Sequence, residues 1–350
     1  MSTHAAQRAS SQNRAISRVG RFHIIGELGR GSTGHVNLAH DPVMGRNVAL
    51  KVLNPGLGGA ERQRHANCLI NEARAAGRLS HPHIVTIYDA SNEGGMPYIA
   101  MEHLQGRTLH QILAEGRRYC AVDTASIALR LAGALDHAHA QQVVHRDVKP
   151  ANIFMVNDEH PKLLDFGIAR APNRIPEDDD QTAHTLYRPN AALGTPNYMS
   201  PEQAQGKPVD ERSDIYSLGA VMYQMLAGRT PFEESDPDKL LQQIAHKAPR
   251  SLHEAVPGLH PELCSIVTRA MAKRPEKRYQ SAAELGVDLK RFLSRVRRAQ
   301  TSGRAPAHPA RAAVAQAAEA PGTMLKPQLR SWQVLFGGVL AVTGLVYLFS

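Results

Sequence analysis

The pattern of apolar and polar positions changes character partway along the chain. Short runs rich in β-branched and aromatic residues come first, at Phe22–Leu28, Val48–Val52 and Pro97–Met101, and such runs predict strands. Longer runs with apolar residues at helical spacing follow, most clearly at Ser126–His139 and Asp214–Leu226. Strands followed by helices predict an α+β protein that is divided into two lobes.

The two ends of the chain differ from this folded stretch. Residues 1–21 are polar and predict a disordered tail, whereas residues 295–331 are rich in Ala, Pro and Arg and predict a basic, flexible linker. Residues 332–349 carry no charge. As a helix they would span roughly 27 Å, close to the ~30 Å hydrocarbon layer. A buried core helix is a poor alternative after such a linker, so a transmembrane helix is predicted here.

The positive charges indicate how this segment would be oriented. Lys326 and Arg330 precede the uncharged stretch, which predicts that the folded part of a single-pass membrane protein faces the cytoplasm. The net charge of +9 resides entirely in residues 1–20 and 294–350, and the stretch between them is neutral. This distribution argues against a basic groove and against a nucleic-acid partner.

Cysteine and histidine offer little chemistry of their own. Three widely separated cysteines, with no Cys-x-x-Cys pair, predict reduced thiols rather than disulfides. Histidine pairs invite a metal interpretation, but a structural role is favoured. These histidines are His81, His83, His137, His139 and His145.

A glycine-rich motif supplies the first chemical signal. Gly29, Gly31 and Gly34 form the pattern G-x-G-x-x-G, which alone fits a dinucleotide site, a tight turn or a phosphate-covering flap. A dinucleotide site needs a helix after the glycines, but Val36–Ala39 resembles a strand. The motif therefore predicts a hairpin flap whose backbone N–H groups lie over phosphates.

A lysine at the end of an apolar strand supports the same chemistry. Lys51 follows Val48-Ala49-Leu50, where an unpaired buried ammonium would be costly. Nucleotide phosphates and one carboxylate would compensate its charge. Glu72 is the candidate carboxylate, in a predicted helix over Glu61–Leu79.

The strongest motif lies in the second half of the chain. Residues 145–152 read His-Arg-Asp-Val-Lys-Pro-Ala-Asn, and residues 165–167 read Asp-Phe-Gly. Phosphoryl transfer needs a carboxylate near the accepting hydroxyl, a cation near the transferred phosphate and oxygen ligands for magnesium. Together the two strings contain all of these groups.

On these residues the chain resembles the eukaryotic-type Ser/Thr protein kinases, especially their bacterial membrane-bound members. The resemblance extends from Phe22 to about Phe292. It implies a bilobal kinase domain over 22–294, with lobes at about 22–104 and 105–294. Further matching elements are His81–Val85, Gly194–Pro196, Ser200–Glu202, Asp214–Gly219 and Arg278.

The resemblance also implies a role for each matching residue. Lys51 would bind phosphates and pair with Glu72, while Asp147 would be the catalytic base and Lys149 would steady the γ-phosphate. Asn152 and Asp165 would hold Mg²⁺ or Mn²⁺. The residues assigned to ATP are Leu28, Gly29, Arg30, Gly31, Ser32, Thr33, Gly34, His35, Val36, Ala49, Lys51, Met101, Glu102, Leu104 and Phe154. Protein substrates, including the chain itself, are the implied partners. A homodimer stays an open alternative, and the physiological substrates, the activating signal and the oligomeric state are not specified.

The activation segment, between Asp165 and Glu202, departs from the family pattern. It is long and polar, and Ser200 replaces the family's alanine. By the resemblance, Arg146 implies control by phosphorylation, for which Thr182 and Thr185 are candidates. Thr195 would instead contact the catalytic loop, residues 145–152. The acidic run Glu177–Asp180 either substitutes partly for a phosphate or is a solvated loop, and the solvated loop is favoured.

Two other functions are less consistent with these residues. A pseudokinase scaffold would bind partners without catalysis, but Lys51, Asp147, Asn152 and Asp165 are all present. A small-molecule kinase is disfavoured because residues 194–202 and 214–219 match a platform for protein substrates.

Overall fold

The computed structural model of the protein describes residues 18–30, 34–53, 59–92, 96–166 and 196–301. Within these ranges the chain forms a strand-rich first part and a helix-rich second part. The predicted bilobal α+β arrangement is therefore confirmed.

The first lobe is built on a six-stranded antiparallel sheet. Its strands, in the spatial order β1-β2-β3-β4-β6-β5, are β1 (Arg18–Val19), β2 (Phe22–Arg30), β3 (Gly34–Asp41), β4 (Arg46–Leu53), β5 (Ile87–Ser91) and β6 (Tyr98–Glu102). Helix α1 (Gly59–Ala76) packs on β5 and β6. Strand β4 is central, and its Val48, Ala49 and Leu50 are buried on both faces of the sheet. Consecutive apolar residues on this strand follow from that position.

The second lobe consists mainly of helices. They are α2 (Leu109–Ala114), α3 (Ala121–Ala140), α4 (Pro201–Ala204), α5 (Glu211–Ala227), α6 (Pro237–His246), α7 (Leu252–Ala255), α8 (Pro261–Ala270) and α9 (Ala282–Thr301). A small antiparallel sheet joins β7 (Gly106–Thr108), β8 (Ile153–Val156) and β9 (His160–Leu163) in that order. Short 3₁₀ turns occur at Pro150–Asn152 and Pro275–Lys277.

Helix α5 is the buried centre of the second lobe. It packs against α3, α7, α8 and α9, and nearly all of its side chains are buried, which explains its apolar composition on every face. Asp210 caps its N-terminus by accepting a hydrogen bond from Arg212 N, and Gly228 ends it with φ of 72°. At Gly219 a Cβ would lie 2.9 Å from Met271 Cγ, so glycine allows α8 to approach closely.

The predicted strands and helices within the described ranges are confirmed, with differences at their ends. Helix α9 continues through Thr301, because Val296 still packs on the core, so residues 295–301 are helical and not part of a linker. Strand β1 likewise lies inside the stretch predicted as a tail, because Val19 is buried. Among the described residues no helix is long and apolar enough to cross a membrane. Residues 332–349 lie outside those ranges, and their transmembrane helix stays a prediction.

A cluster of three histidines joins the loop after α1 to the second lobe. The His81 ring lies 5.6 Å from the His83 ring and 5.4 Å from the His137 ring on α3. His83 donates from Nδ1 to the Pro161 carbonyl at 2.7 Å, and its backbone N–H donates to His81 Nδ1 at 3.1 Å. Since His81 Nδ1 accepts a hydrogen bond, the neutral ring is the form that fits this junction.

Acid should therefore weaken the junction. Burial, together with the charges of His83, His137 and Lys162, lowers the pKa of His81 below its ordinary value. The unfolded chain then binds the proton more readily, so the stability contribution is complete above about pH 6.5 and is lost as the pH falls below it.

We expect His81→Asn to reduce this pH sensitivity, because asparagine keeps an acceptor near the Nδ1 position and does not titrate. The decrease in melting temperature between about pH 7.5 and pH 5.5 should be smaller for the variant than for the wild type. Thermal unfolding of both chains followed by circular dichroism measures the difference. Equal decreases in the two chains would contradict the assignment to His81.

Candidate active site

An apolar cluster lies where the first lobe faces the loop between β6 and β7. Buried Ala49 pairs with buried Met101 across β4 and β6, and Val36, Leu104 and Leu164 pack against the same cluster. Phe154 lies on β8, opposite Thr108 of β7. The cluster thus brings together Val36, Ala49, Met101 and Leu104, four of the residues that the resemblance assigned to ATP.

The glycine-rich hairpin approaches its neighbour closely. Gly34 begins β3 beside β4, and a Cβ there would lie 2.1 Å from the Val52 carbonyl oxygen. Any other residue at this position would displace the strand, so the third glycine of the motif has a steric reason. On β2, the first strand of the hairpin, Leu28 and Arg30 are exposed, and Arg30 forms a salt bridge with Glu27.

The strand lysine meets the aspartate of the Asp-Phe-Gly string. Lys51 Nζ lies 2.9 Å from Asp165 Oδ2, and only 14% of the Lys51 side chain is exposed. Burial would raise the pKa of Asp165, but the charge and hydrogen bond of Lys51 outweigh it and hold that pKa below its ordinary value. Asp165 is therefore ionised near neutral pH, as a metal ligand must be.

The second lysine and the asparagine converge on Asp147, the predicted catalytic base. Lys149 Nζ and Asn152 Nδ2 each lie 2.9 Å from Asp147 Oδ2, and Asn152 Nδ2 also donates to the Asp147 carbonyl oxygen. Two donors on one carboxylate oxygen restrict the rotation of the side chain. The Pro150–Asn152 turn is what allows residues 147 and 152 to meet.

A buried histidine ties the two strings together. His145 accepts a hydrogen bond from Asp147 N at Nδ1 and donates from Nε2 to the Leu164 carbonyl at 2.9 Å. Its ring centroid lies 4.5 Å from that of Phe166. Burial lowers the pKa of His145, although Asp214 and Asp147 oppose the shift, so the neutral ring with its proton on Nε2 satisfies both contacts.

A buried carboxylate holds the backbone before Asp147. Asp214 accepts hydrogen bonds from His145 N at 2.8 Å and from Arg146 N at 2.7 Å, and His139 Nε2 lies 2.8 Å from its Oδ2. Arg146 has φ of 65°, in the left-handed region that few residues other than glycine adopt. The carboxylate therefore holds an unfavourable backbone conformation in place.

An ion pair in the interior anchors the end of the activation segment. Arg278 Nη1 and Nη2 each lie 2.7 Å from one oxygen of Glu202, and both residues are buried. Arg278 also donates to the backbone carbonyls of Ala272, Arg212 and Lys273. With every donor satisfied, the bidentate pair fixes α4 against the lobe.

Several predicted site residues cannot be placed in the same way. The side chain of Glu72 on α1, residues 31–33, Thr182, Thr185, Thr195 and the acidic run 177–180 all lie outside the described residues and side chains. Their assigned roles stay predictions. The Lys51–Glu72 pair is one of them, because the Glu72 side chain is not among those described.

The list of candidate site residues drawn from the sequence lacked three polar side chains. Two of them, Asp214 and Gln203, form hydrogen bonds with the backbone of residues 145 and 146, and His139 contacts Asp214. None of the three is predicted to touch a substrate. For Asp214 and His139 the sequence signal is a polar residue within a largely apolar helix. Gln203 lies in the short α4 and has no such signal, so only its burial distinguishes it from a solvated residue.

Residues 22–287 match the family model described as a protein kinase domain. The chain belongs to the protein kinase family. A probable serine/threonine-protein kinase of Streptomyces coelicolor is 37% identical to this kinase over 278 residues, which cover 78% of the chain and 40% of the relative. The serine/threonine-protein kinase PknB of Mycobacterium tuberculosis is 39% identical over 275 residues, 77% of the chain and 42% of the relative.

Solved structures show the same likeness. The crystal structure of the PknI kinase domain of Mycobacterium tuberculosis is 28% identical, with a TM-score of 0.60, and the match covers 80% of this kinase and 99% of that domain. The expected similarity to bacterial Ser/Thr kinases is confirmed. The chain spans about two fifths of the length of the curated relatives it matches.

Breaking the Glu202–Arg278 pair should be costly. We expect Arg278→Met to lower the free energy of unfolding by about 3–5 kcal/mol, because it leaves the Glu202 carboxylate buried without its cation. Urea titration, with unfolding followed by far-ultraviolet circular dichroism, measures this change in free energy.

A matched control is Arg295→Met, which removes an exposed arginine from a 3.2 Å contact with Glu262. Its cost should be at most about 1 kcal/mol. Equal costs for the two arginine variants would contradict the role assigned to the buried pair.

Proposed function

We propose that this kinase transfers the γ-phosphoryl group of ATP to Ser and Thr hydroxyls of proteins, including its own. The observation that carries the proposal is the convergence of Lys149 and Asn152 on Asp147, beside the Lys51–Asp165 contact. A base, two cations and two metal-ligand candidates in one place are the set that phosphoryl transfer requires.

Each of these side chains has a task that its surroundings support. Asp147, held by two donors on Oδ2, accepts the proton of the substrate hydroxyl. Lys149 lies next to it and offsets the negative charge that gathers on the transferred group, while Lys51 binds the other phosphates. A lysine at position 149 also favours Ser and Thr over Tyr, by the family resemblance.

The residues present fit a divalent cation. Asp165 is kept ionised by Lys51, and the side-chain hydrogen bonds of Asn152 use its Nδ2, which leaves the amide oxygen as a ligand. Oxygen donors of this kind suit Mg²⁺ or Mn²⁺. Such an ion, when bound, would neutralise phosphate charge, and Asn152 and Asp165 would hold it.

The apolar cluster supports ATP as the donor. Val36, Ala49, Leu104 and Met101 present apolar surface that matches a flat base. By the resemblance, the backbone of Glu102 to Leu104, at the end of β6, is the hinge that would meet the adenine. Lys162 Nζ lies 2.8 Å from Glu102 Oε2, so the Glu102 carboxylate is compensated by a salt bridge. The same surface alone would also fit a pseudokinase that only binds nucleotide, but the complete set around Asp147 favours catalysis.

The decisive variant changes the base and nothing else. We expect Asp147→Asn to lower kcat by at least about 100-fold, because the amide cannot accept the hydroxyl proton, while ATP binding is retained. Incorporation of labelled phosphate into the chain and into a generic protein acceptor, with Mg²⁺ present, measures the loss. A wild-type chain that labels neither acceptor, or a variant as active as the wild type, would contradict the proposal.

We also propose that residues 332–349 anchor the kinase in a membrane, with the catalytic domain on the cytoplasmic side. The support is the uncharged stretch itself, preceded by Lys326 and Arg330. The basic residues that follow α9, including Arg304 and Arg311, would add attraction to anionic lipid.

Fractionation tests this anchoring. The full chain should sediment with membranes and resist extraction by alkaline carbonate, whereas a chain that ends at residue 331 should be released, because it lacks the apolar helix. As a matched control, Lys326→Gln with Arg330→Gln keeps the stretch and should still sediment. Recovery of the full chain in the supernatant would contradict the anchor.

A further inference from the structure

The backbone before Asp147 is held from a side that the proposed mechanism does not use. The Arg146 carbonyl accepts a hydrogen bond from Gln203 Nε2 at 2.8 Å. Gln203 lies on α4, next to Glu202, and is 4% exposed. A buried primary amide aimed at a catalytic-loop carbonyl is a specific contact, because a polar group in the interior is costly without its partner.

The same side chain makes a second hydrogen bond with its other end. Gln203 Oε1 accepts from Ser200 N at 2.9 Å, and the Ser200 hydroxyl accepts from Gln203 N, which together form a capping box on α4. An N–H must meet the amide oxygen and a carbonyl must meet the amide nitrogen, so these two partners fix the orientation of the Gln203 amide.

The Arg146 carbonyl and the Asp147 N–H belong to one planar peptide unit. Gln203 holds the carbonyl end, while His145 Nδ1 accepts from the N–H end at 3.2 Å. Rotation of this unit would redirect the Cα–Cβ bond of Asp147 and move its carboxylate away from Lys149. The two contacts together prevent that rotation.

We propose that Gln203 is a positioning residue for phosphoryl transfer, which orients Asp147 through the Arg146 carbonyl. The inference rests on the proposed function. The Gln203 contact couples α4, at the end of the activation segment, to the proposed base Asp147. The platform for a protein substrate is thereby held at a fixed position relative to that base. The role is distinct from helix capping, because a glutamate would cap α4 equally well but would place a carboxylate oxygen against the carbonyl.

That difference defines the experiment. Gln203→Glu retains the capping box and loses the amide donor, so kcat for autophosphorylation at about pH 8 should fall about tenfold while KM for ATP stays within about twofold. Gln203→Met loses both hydrogen bonds and should show a similar decrease in kcat. Thermal unfolding of the full chain, recorded beside the kinetics, shows whether each variant is folded.

The pH profile separates positioning from packing. As the pH falls towards about 6, the buried carboxyl of Gln203→Glu gains a proton and can donate to Arg146 O, so its kcat should approach that of the wild type. Gln203→Met has no such proton, and its ratio to the wild type should stay constant. The charged and titratable groups joined to this contact are Arg146 and Asp147 on the peptide unit, His145 and Asp214 bonded to it, and the Glu202–Arg278 pair next to Gln203. All of them are common to both variants.

The outcomes are distinguishable. Wild-type kcat in both variants at pH 8 would overturn the inference, and so would a pH-independent decrease of the same size in both, since packing alone would explain it. A wild-type chain that transfers no phosphate would remove the proposed function and this inference with it.

Discussion

The active-site geometry depends on one buried carboxylate. Asp214 accepts hydrogen bonds from His145 N and Arg146 N and lies beside His139, with no exposure to solvent. The left-handed conformation of Arg146 costs roughly 1–2 kcal/mol. Hydrogen bonds to a charged acceptor contribute about 1.5–3 kcal/mol each, so the pair outweighs the strain. Without them the loop would relax to an ordinary conformation and Asp147 would leave its position.

Asp214 can serve this purpose because its own helix is buried among other helices. Helix α5 is capped by Asp210, ends at Gly228 and packs on four other helices, which places the carboxylate on a fixed base. The Glu202–Arg278 pair then secures α4 on the same base, through Ser213 at the start of α5. Residues 145–147, which include the proposed base, are therefore held by well-packed helices.

The sequence predicted the reacting groups better than their supports. Asp147, Lys149, Asn152 and Asp165 stand close together in strings whose chemistry is specific. The fold brings Lys149 and Asn152 into contact with Asp147, and Lys51 into contact with Asp165. Strands and helices were also predictable, because their periodicity reflects burial on one face or on all faces. The end of α9 was not predictable, because its Arg-rich residues resemble a linker unless the packing of Val296 on the core is known. The supporting role of Gln203 was not predictable either, because only burial distinguishes it from a surface glutamine.

The separation of the supports along the chain explains why they are hard to predict and what they impose on the kinase. Gln203 lies 57 residues from Arg146, Asp214 lies 68 residues from it, and Arg278 lies 76 residues from Glu202. No local segment contains both partners of any of these contacts, so Asp147 cannot acquire its orientation before the helical lobe has closed around α5. Catalytic geometry and global stability are therefore coupled in this lobe: a substitution that loosens α4 or α5 reaches Asp147 through the hydrogen bonds that define its backbone.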